Sequence, residues 1–198
     1  DAEFGALGIL LGTVLKDEIP VIQGIEGASK DMLKQLGAGL ASAGMVSMFY
    51  TEDSMIKNMK LEKISVDQKA IAQTVRRLTT ASTEKPDLVF IGCPHCSFEE
   101  IRQIAELTRN KKVKNGIEFW VCTSRHVKEQ AKKEVEKIEK SGGHIITDTC
   151  AVVTWTDKLG IKTIMTNSAK TAHYAPTLNK AETILAPLKQ CVKTAFQG

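Results

Sequence analysis

The chain has 198 residues, enough for one domain or one and a half at the usual ~100–200 residues each. Hydrophobic residues make up 42% and charged residues 25%, ordinary for a globular protein and unlike a disordered tail or a collagen-like repeat. Lys plus Arg number 27 against 23 Asp plus Glu, and a scattered net charge of +4 points to neither a nucleic-acid nor a membrane partner.

The longest apolar run, Phe4 to Leu15, falls short of the ~20 residues of a membrane span. No basic stretch precedes it, as one would in a signal peptide. The chain opens at Asp1 rather than Met, as a processed chain or an excised piece does. Residues 1–28 are apolar and Gly-rich, and Ile19 to Gln23 reads as a short strand. Ser29 is placed to N-cap a helix over about 30–43 whose stripe is Met32, Leu33, Leu36 and Leu40. Gly44 ends it, and Met45 to Tyr50 reads as a strand. Leu61 to Ile64 is another strand candidate. Ser65 with Gln68 makes a capping box for a helix to about Ala81.

Asp87 to Ile91 is a compact apolar run, read as a buried strand. Ser97 with Glu100 makes a second capping box, opening a helix to about Thr108. The Lys-rich stretch Asn110 to Asn115 reads as a solvated loop. Ile117 to Cys122 is the next strand. Ser124 caps a long helix to about Lys140, with Val127, Ala131, Val135 and Ile138 on one face. Gly142-Gly143 stops it, and His144 to Thr147 and Ile161 to Met165 read as strands. A short helix follows near Ala169, and a last one covers about 180–195. Strands alternating with helices of this length predict a three-layer α/β/α fold with a mainly parallel sheet. Residues 1–198 read as a single α/β domain, in which the less regular residues 1–60 could pack with a neighbouring domain.

Four predicted strands end in small polar or thiol residues: Gly92-Cys93-Pro94-His95-Cys96-Ser97, Cys122-Thr123-Ser124, Thr147-Asp148-Thr149-Cys150 and Thr166-Asn167-Ser168-Ala169-Lys170. In a parallel sheet these ends share one edge, where open α/β sheets bind ligands. Each turn leads towards a helix N-terminus, which favours anions, and Lys170 and His173 add positive charge. The expected ligand is an anionic small molecule, beside two or three thiols. The five cysteines are too few, and odd in number, for a secreted disulfide framework, which predicts a cytoplasmic protein with free thiols. Cys122 and Cys191 lie in apolar contexts and read as core. His95 has a local hydrogen bond as its plain role, His126 and His144 read as structural, and Trp120 and Trp155 as packing residues.

Cys93-Pro94-His95-Cys96 has competing uses. A thioredoxin-like thiol–disulfide pair is one, although that fold needs a facing cis-proline loop that neither Pro176 nor Pro187 supplies. Structural zinc would want a second close ligand pair. Ligation of an iron–sulfur cluster by widely spaced thiolates, one from the Cys93 turn and one from the Cys150 turn, suits converging strand ends.

Gly5-Ala6-Leu7-Gly8, Leu36-Gly37-Ala38-Gly39-Leu40-Ala41-Ser42, Ile91-Gly92-Cys93-Pro94-His95 with Ser97 and Glu100, Asp148-Thr149-Cys150, and Thr166-Asn167-Ser168-Ala169-Lys170 with Ala172-His173-Tyr174-Ala175-Pro176 together resemble aconitase X. The similarity spans nearly the whole chain and is to the C-terminal half of that family's large subunit or large domain. The resemblance implies an aconitase-like fold and a hydro-lyase. One archaeal branch of the family dehydrates mevalonate 5-phosphate to trans-anhydromevalonate 5-phosphate in the mevalonate pathway of isoprenoid biosynthesis; another dehydrates cis-3-hydroxy-L-proline. Cys93 favours the first branch.

It further implies an iron–sulfur cluster, [4Fe-4S] in preference to [2Fe-2S], held by three cysteines. By motif position Cys93 and Cys150 are two of them, and Cys96 matches none. The third would come from the family's N-terminal half, and a small swivelling subunit would bring a catalytic Ser. One cluster iron would act as Lewis acid on the substrate's hydroxyl and carboxylate, with the base outside this chain. Asn167, Ser168, Lys170, His173, His95 and Ser97 are the implied substrate-binding residues. After Ser47-Met48-Phe49-Tyr50 the family has a longer His-containing loop where this chain has only Thr51-Glu52-Asp53.

Overall fold

A computed structural model of the chain describes residues 1–51 and 60–198, so the short loop at Glu52-Asp53 lies outside the described residues. The first part is helical: α1 (Ala2–Leu15), α2 (Lys30–Ala43) and α3 (Gln68–Arg77). An alternating part follows, with β1 (Leu88–Cys96), α4 (Phe98–Leu107), β2 (Lys112–Val113), β3 (Glu118–Thr123), α5 (Arg125–Gln130), α6 (Lys132–Lys140) and β4 (His144–Thr147). After 3-10 turns at Ala151–Val153 and Thr156–Leu159 come β5 (Thr163–Thr166), α7 (Ala169–Leu178), β6 (Glu182–Leu185), α8 (Leu188–Ala195) and β7 (Phe196–Gln197).

Strands β4-β3-β1-β5-β6 form, in that order, a sheet whose neighbours all run parallel. Central β1 carries Leu88-Val89-Phe90-Ile91, all buried, as a strand covered on both faces requires. Val89 and Ile91 point to one side, where Ile101 and Ile104 of α4, Val135 and Ile138 of α6, and Cys191 and Val192 of α8 complete a core. Leu88, Phe90 and Cys93 join the opposite core with Cys122, Ile164 and Ala175 of α7. Behind α7 lie α1 and α3, through Ala2, Ala6, Ile9, Leu78, Ala169 and Ala172. The expected α/β/α layering with a parallel sheet is therefore present.

The α1–α2 pair packs backbone on backbone. A Cβ on Gly8 would sit 2.2 Å from the Leu36 carbonyl oxygen, and one on Gly39 would sit 2.5 Å from that of Gly5. Only glycine permits that approach.

Several sequence expectations need correction. Residues 2–15 form a helix that periodicity did not reveal. Their apolar residues circle the axis because α1 is enclosed by α2, α3 and α7. Ile19 to Gln23 and Met45 to Tyr50 are not strands. They meet only in an isolated parallel bridge, Val21 with Tyr50, and Ile19, Met45 and Met48 stay exposed. Leu61 to Ile64 is irregular and exposed, with no partner strand among the described residues. The cap of α3 is Asp67, whose side chain accepts from Ala70 N–H, not Ser65, and α3 ends at Arg77. The helix expected from Ser124 to Lys140 is two, divided at Ala131 (φ −100°, ψ 29°). The expected 180–195 helix is β6 followed by α8, with Pro187 as N-cap between them. Pro176 lies inside α7 rather than after it.

The stretch 110–115 is not all loop either, because β2 pairs antiparallel with β7. Lys114 Nζ there donates to the Thr194 carbonyl at 2.8 Å, a cation at a helix C-terminus. Trp155 is exposed, with Lys158 Nζ 3.7 Å above its ring, so it is no packing residue. His126 and His144 are exposed as well, His144 lying 3.5 Å from Glu118.

Candidate active site

The carboxyl ends of β1, β3, β4 and β5 gather on one edge of the sheet. The β1 turn starts at Gly92, with φ 107°, where a Cβ would lie 2.1 Å from the Cys122 carbonyl oxygen. That position holds glycine because the turn lies flush on β3. The register of β1 against β3 then breaks between Ile91 and Cys96. Cys93 faces the α7 side and Cys96 the α4 side, in separate cores. Cys93 therefore shares a groove with Cys150, and not with Cys96 of its own motif.

Cys93 donates to the Cys150 sulfur, and that bond holds Cys150 well below the ordinary thiol range, against the opposing effect of burial. The backbone N–H groups of Val153 and Val152, at the first 3-10 turn, and the charge of Lys170 act in the same direction. The same bond, with burial, pushes Cys93 far up. The Thr171 hydroxyl, with no oxygen or nitrogen partner, lies against Cys93 and partly offsets that rise. Burial pushes Cys122 up to about 11, and it donates to the Thr149 carbonyl at 2.8 Å. Burial raises Cys96 well above the usual thiol value.

The paired thiols open into a groove of about 480 Å³, with Pro94, His95, Asp148, Thr149, Lys170, Tyr174, Val152, Val153 and Leu178 on its walls. Among the residues expected at the site, Cys93, Cys150, His95 and Lys170 line this groove. The other four turn to protein partners. Ser168 caps α7 by accepting from Thr171 N–H, and its hydroxyl donates to the Cys93 carbonyl. Asn167 donates to Asp1 Oδ2 at 2.9 Å, leaving its own buried Oδ1 unpaired. Ser97 caps α4 in the expected box with Glu100, and its hydroxyl donates to Asp31 at 3.0 Å. His173 stacks edge-on against Tyr174, and burial, with the Arg77 charge, pushes its imidazole down. His95 reaches far from its own turn: its Nε2 lies 2.9 Å from the Thr149 carbonyl.

Other groups that shape the site were not singled out from the sequence. Lys34 of α2 donates to the His95 carbonyl at 3.1 Å and pairs with Asp31 and Glu100. Tyr174 donates to the Ser42 carbonyl at 3.3 Å, joining α7 to α2. Arg125 pairs with Asp148 and holds that carboxyl below the usual range. Cys122 ends β3 as Cys93 ends the regular part of β1, a parallel that the strand-end pattern already contained.

Two cysteines on the wall of one groove, with a lysine beside them, suit a soft, thiophilic metal centre. Among the described residues no group of three His, Cys, Asp or Glu is placed to hold a metal ion. Cys93 and Cys150 could serve as two ligands of such a centre.

Comparison with known proteins bears on the same residues. The sequence matches the aconitase X third domain over residues 86–197 and the aconitase X second domain over residues 1–76. The chain belongs to the aconitase X family. It is 39% identical to the phosphomevalonate dehydratase large subunit of Methanocaldococcus jannaschii, over 96% of this chain and 49% of that protein. It is 30% identical to the cis-3-hydroxy-L-proline dehydratase of Hypocrea jecorina, over all of this chain and 36% of that protein. The crystal structure of Thermococcus kodakaraensis aconitase X in its holo-form superposes with a TM-score of 0.88 at 30% identity, covering 98% of this chain and 51% of that one. The chain spans about half the length of the large subunits it matches. In aconitase X terms, the boundary between the two matched domains falls between α3 and β1, and the thiols and Lys170 lie in the third domain.

Proposed function

We propose that the chain supplies two domains of the large subunit of an aconitase X-type hydro-lyase, one that dehydrates mevalonate 5-phosphate to trans-anhydromevalonate 5-phosphate. The observation that carries this reading is the meeting of Cys93 and Cys150, 57 positions apart in sequence, at the head of a groove that also holds Lys170. The names of archaeal relatives support the substrate. The hydroxyproline enzymes match at 30% identity, below the 39% of the Methanocaldococcus jannaschii subunit, and define the competing substrate.

Cys93 and Cys150 would hold two positions of an iron–sulfur cluster, four-iron in preference to two-iron. When bound, the cluster would supply a Lewis acid that makes the substrate's hydroxyl a better leaving group. The chain's own residues bind and orient. Lys170, in the first turn of α7, meets an anionic end of the substrate where the helix dipole also favours negative charge. Ser168 and Asn167 hold the turn in front of Cys93, and Ser97 and His173 brace the flanking helices. The proton alpha to the carboxylate would leave to a base outside this chain, so that proton and hydroxyl depart together as water.

The third ligand and the base would come from the rest of the large subunit and from a small subunit. No helix among the described residues is long and apolar enough to cross a membrane, and the free thiols accord with the cytoplasm. A redox role for Cys93 and Cys96 is disfavoured by their burial in separate cores.

The test joins the chain to the complementary half of a large subunit and a small subunit, with anaerobic iron and sulfide. Loss of water from mevalonate 5-phosphate, cluster absorbance, and loss of both in Cys150→Ala are expected. Turnover of cis-3-hydroxy-L-proline instead would reassign the substrate. Full cluster absorbance in Cys150→Ala would sink the ligand role, and insulin reduction by the chain alone would favour the redox reading.

A further inference from the structure

Cys150 is carried by a short turn, not by regular structure, yet it must stay opposite Cys93. It follows Asp148, whose φ is 56°, and Thr149, and precedes a single 3-10 turn. Two side chains from other strands converge on that turn at one atom. The Cys122 thiol, at the end of β3, donates to the Thr149 carbonyl oxygen at 2.8 Å. The His95 ring, from the β1 turn, lies with Nε2 at 2.9 Å from the same oxygen. A carbonyl oxygen can only accept, so Nε2 carries the hydrogen, and both lone pairs are engaged. His95 is itself held from behind, since Lys34 Nζ donates to its backbone carbonyl at 3.1 Å. Cys122 is fully buried, and among the described residues its thiol makes this one hydrogen bond.

We propose that His95 and Cys122 are positioning residues that clamp the Thr149 carbonyl from two strands and thereby set the Cys150 sulfur against that of Cys93. This role rests on the reading of Cys93 and Cys150 as one paired-thiol site. It gives His95 a task other than touching substrate, and it takes Cys122 out of the plain core. Because the clamp acts through hydrogen-bond donation, a donor of matching reach should replace each residue. Ser keeps a donor at 122, and Gln places an amide N–H near the position of Nε2.

The probe is phenylarsine oxide, whose arsenic is bridged by two nearby thiols with loss of one water: PhAsO plus two RSH gives PhAs(SR)2 and H2O. Capture is measured on the reduced full chain by intact mass and located by peptide mapping. Wild type, Cys122→Ser and His95→Gln are expected to capture the arsenical between Cys93 and Cys150 with similar affinity. Cys122→Ala and His95→Ala should each lose about tenfold, the scale of one lost hydrogen bond to the turn. A merely structural loss would lower the melting temperature without separating donor from non-donor variants.

Wild-type affinity in both Ala variants would overturn the clamp, as would equal losses in the Ser and Gln variants. If Cys122→Ala fails to fold, the His95 pair decides. Absence of capture between Cys93 and Cys150 in wild type is a different failure. It would remove the paired-thiol reading itself, and the clamp with it.

Discussion

Lys170 is the cation on the groove wall, at the first turn of α7, with the thiol pair opposite. A charge-assisted hydrogen bond to an anionic substrate contributes ~1.5–3 kcal/mol, and ~1.4 kcal/mol corresponds to tenfold in affinity. Lys170→Ala in the assembled enzyme should therefore raise KM about tenfold or more, with a smaller effect on kcat; an unchanged KM would remove the anion contact. Lys34 allows a second test, of stability against pH. Burial pushes Glu100 above the ordinary carboxyl range, outweighing the Lys34 ion pair and the Ser97 N–H. A carboxyl whose folded pKa is raised contributes stability fully present below its unfolded pKa and lost as pH rises through the folded value. Lys34→Met removes the main opposing charge and should push Glu100 higher. The variant is expected to be less stable than wild type at neutral pH, with a deficit that shrinks in urea melts taken towards pH 4. A deficit that does not vary with pH would deny Glu100 this role. At this scale the site was half legible. That Cys93, Cys150, His95 and Lys170 line one groove was legible because strand ends in a parallel sheet must meet. Asn167, Ser168, Ser97 and His173 share those turns, but which way each side chain faces depends on distant partners such as Asp1, Asp31 and Arg77.

Helices with local start signals were readable: Ser29 caps α2, Ser97 with Glu100 caps α4, and Ser124 caps α5 as expected. Such caps lie within four residues, so no tertiary knowledge is needed. Helix α1 and strand β6 were missed because their identity is set by neighbours. The first is wrapped by other helices, and the second is four residues completing the sheet beside β5. The glycines of α1 and α2 show how packing can reverse a local preference. In a helix interior Gly→Ala is favoured by ~1 kcal/mol from propensity alone. At Gly8 the added methyl would meet the Leu36 carbonyl at 2.2 Å, and the helices would have to part. Overpacking of this kind costs ~1–3 kcal/mol or more, so the clash wins. Gly8→Ala should lower the denaturation midpoint clearly, whereas Gly27→Ala, with open space at its Cβ, should leave it within error. Equal midpoints for both would mean that α1 and α2 do not meet this closely.

The chain accounts for about half of the large subunits it resembles, and among the described residues no group of three His, Cys, Asp or Glu is placed to hold a metal ion. On the proposed reading, a third ligand would approach the groove from its open side. The rim there carries exposed apolar side chains, Val153 and Leu178, and Trp155 and Leu159 are exposed on the same 3-10 segment as Val153. Buried Asn179 ties these together, its Nδ2 donating to the carbonyls of Ala151 at 3.0 Å and Thr154 at 2.9 Å and to Thr156 Oγ1 at 2.9 Å. The rim is thus a fixed surface, continuous with the groove through Val153 and Leu178. Exposed apolar surface beside a site marks an interface, and on the proposed reading its occupant would be the part of the large subunit that completes the site. Trp155→Glu with Leu178→Glu should weaken association with the complementary half at least tenfold, about 1.4 kcal/mol, in a titration followed by analytical ultracentrifugation. The same pair of changes should leave the melting temperature of the chain alone within a degree or two, since surface substitutions usually act within about ±0.5 kcal/mol. Undiminished association would place the missing ligand's approach on another face of the sheet edge.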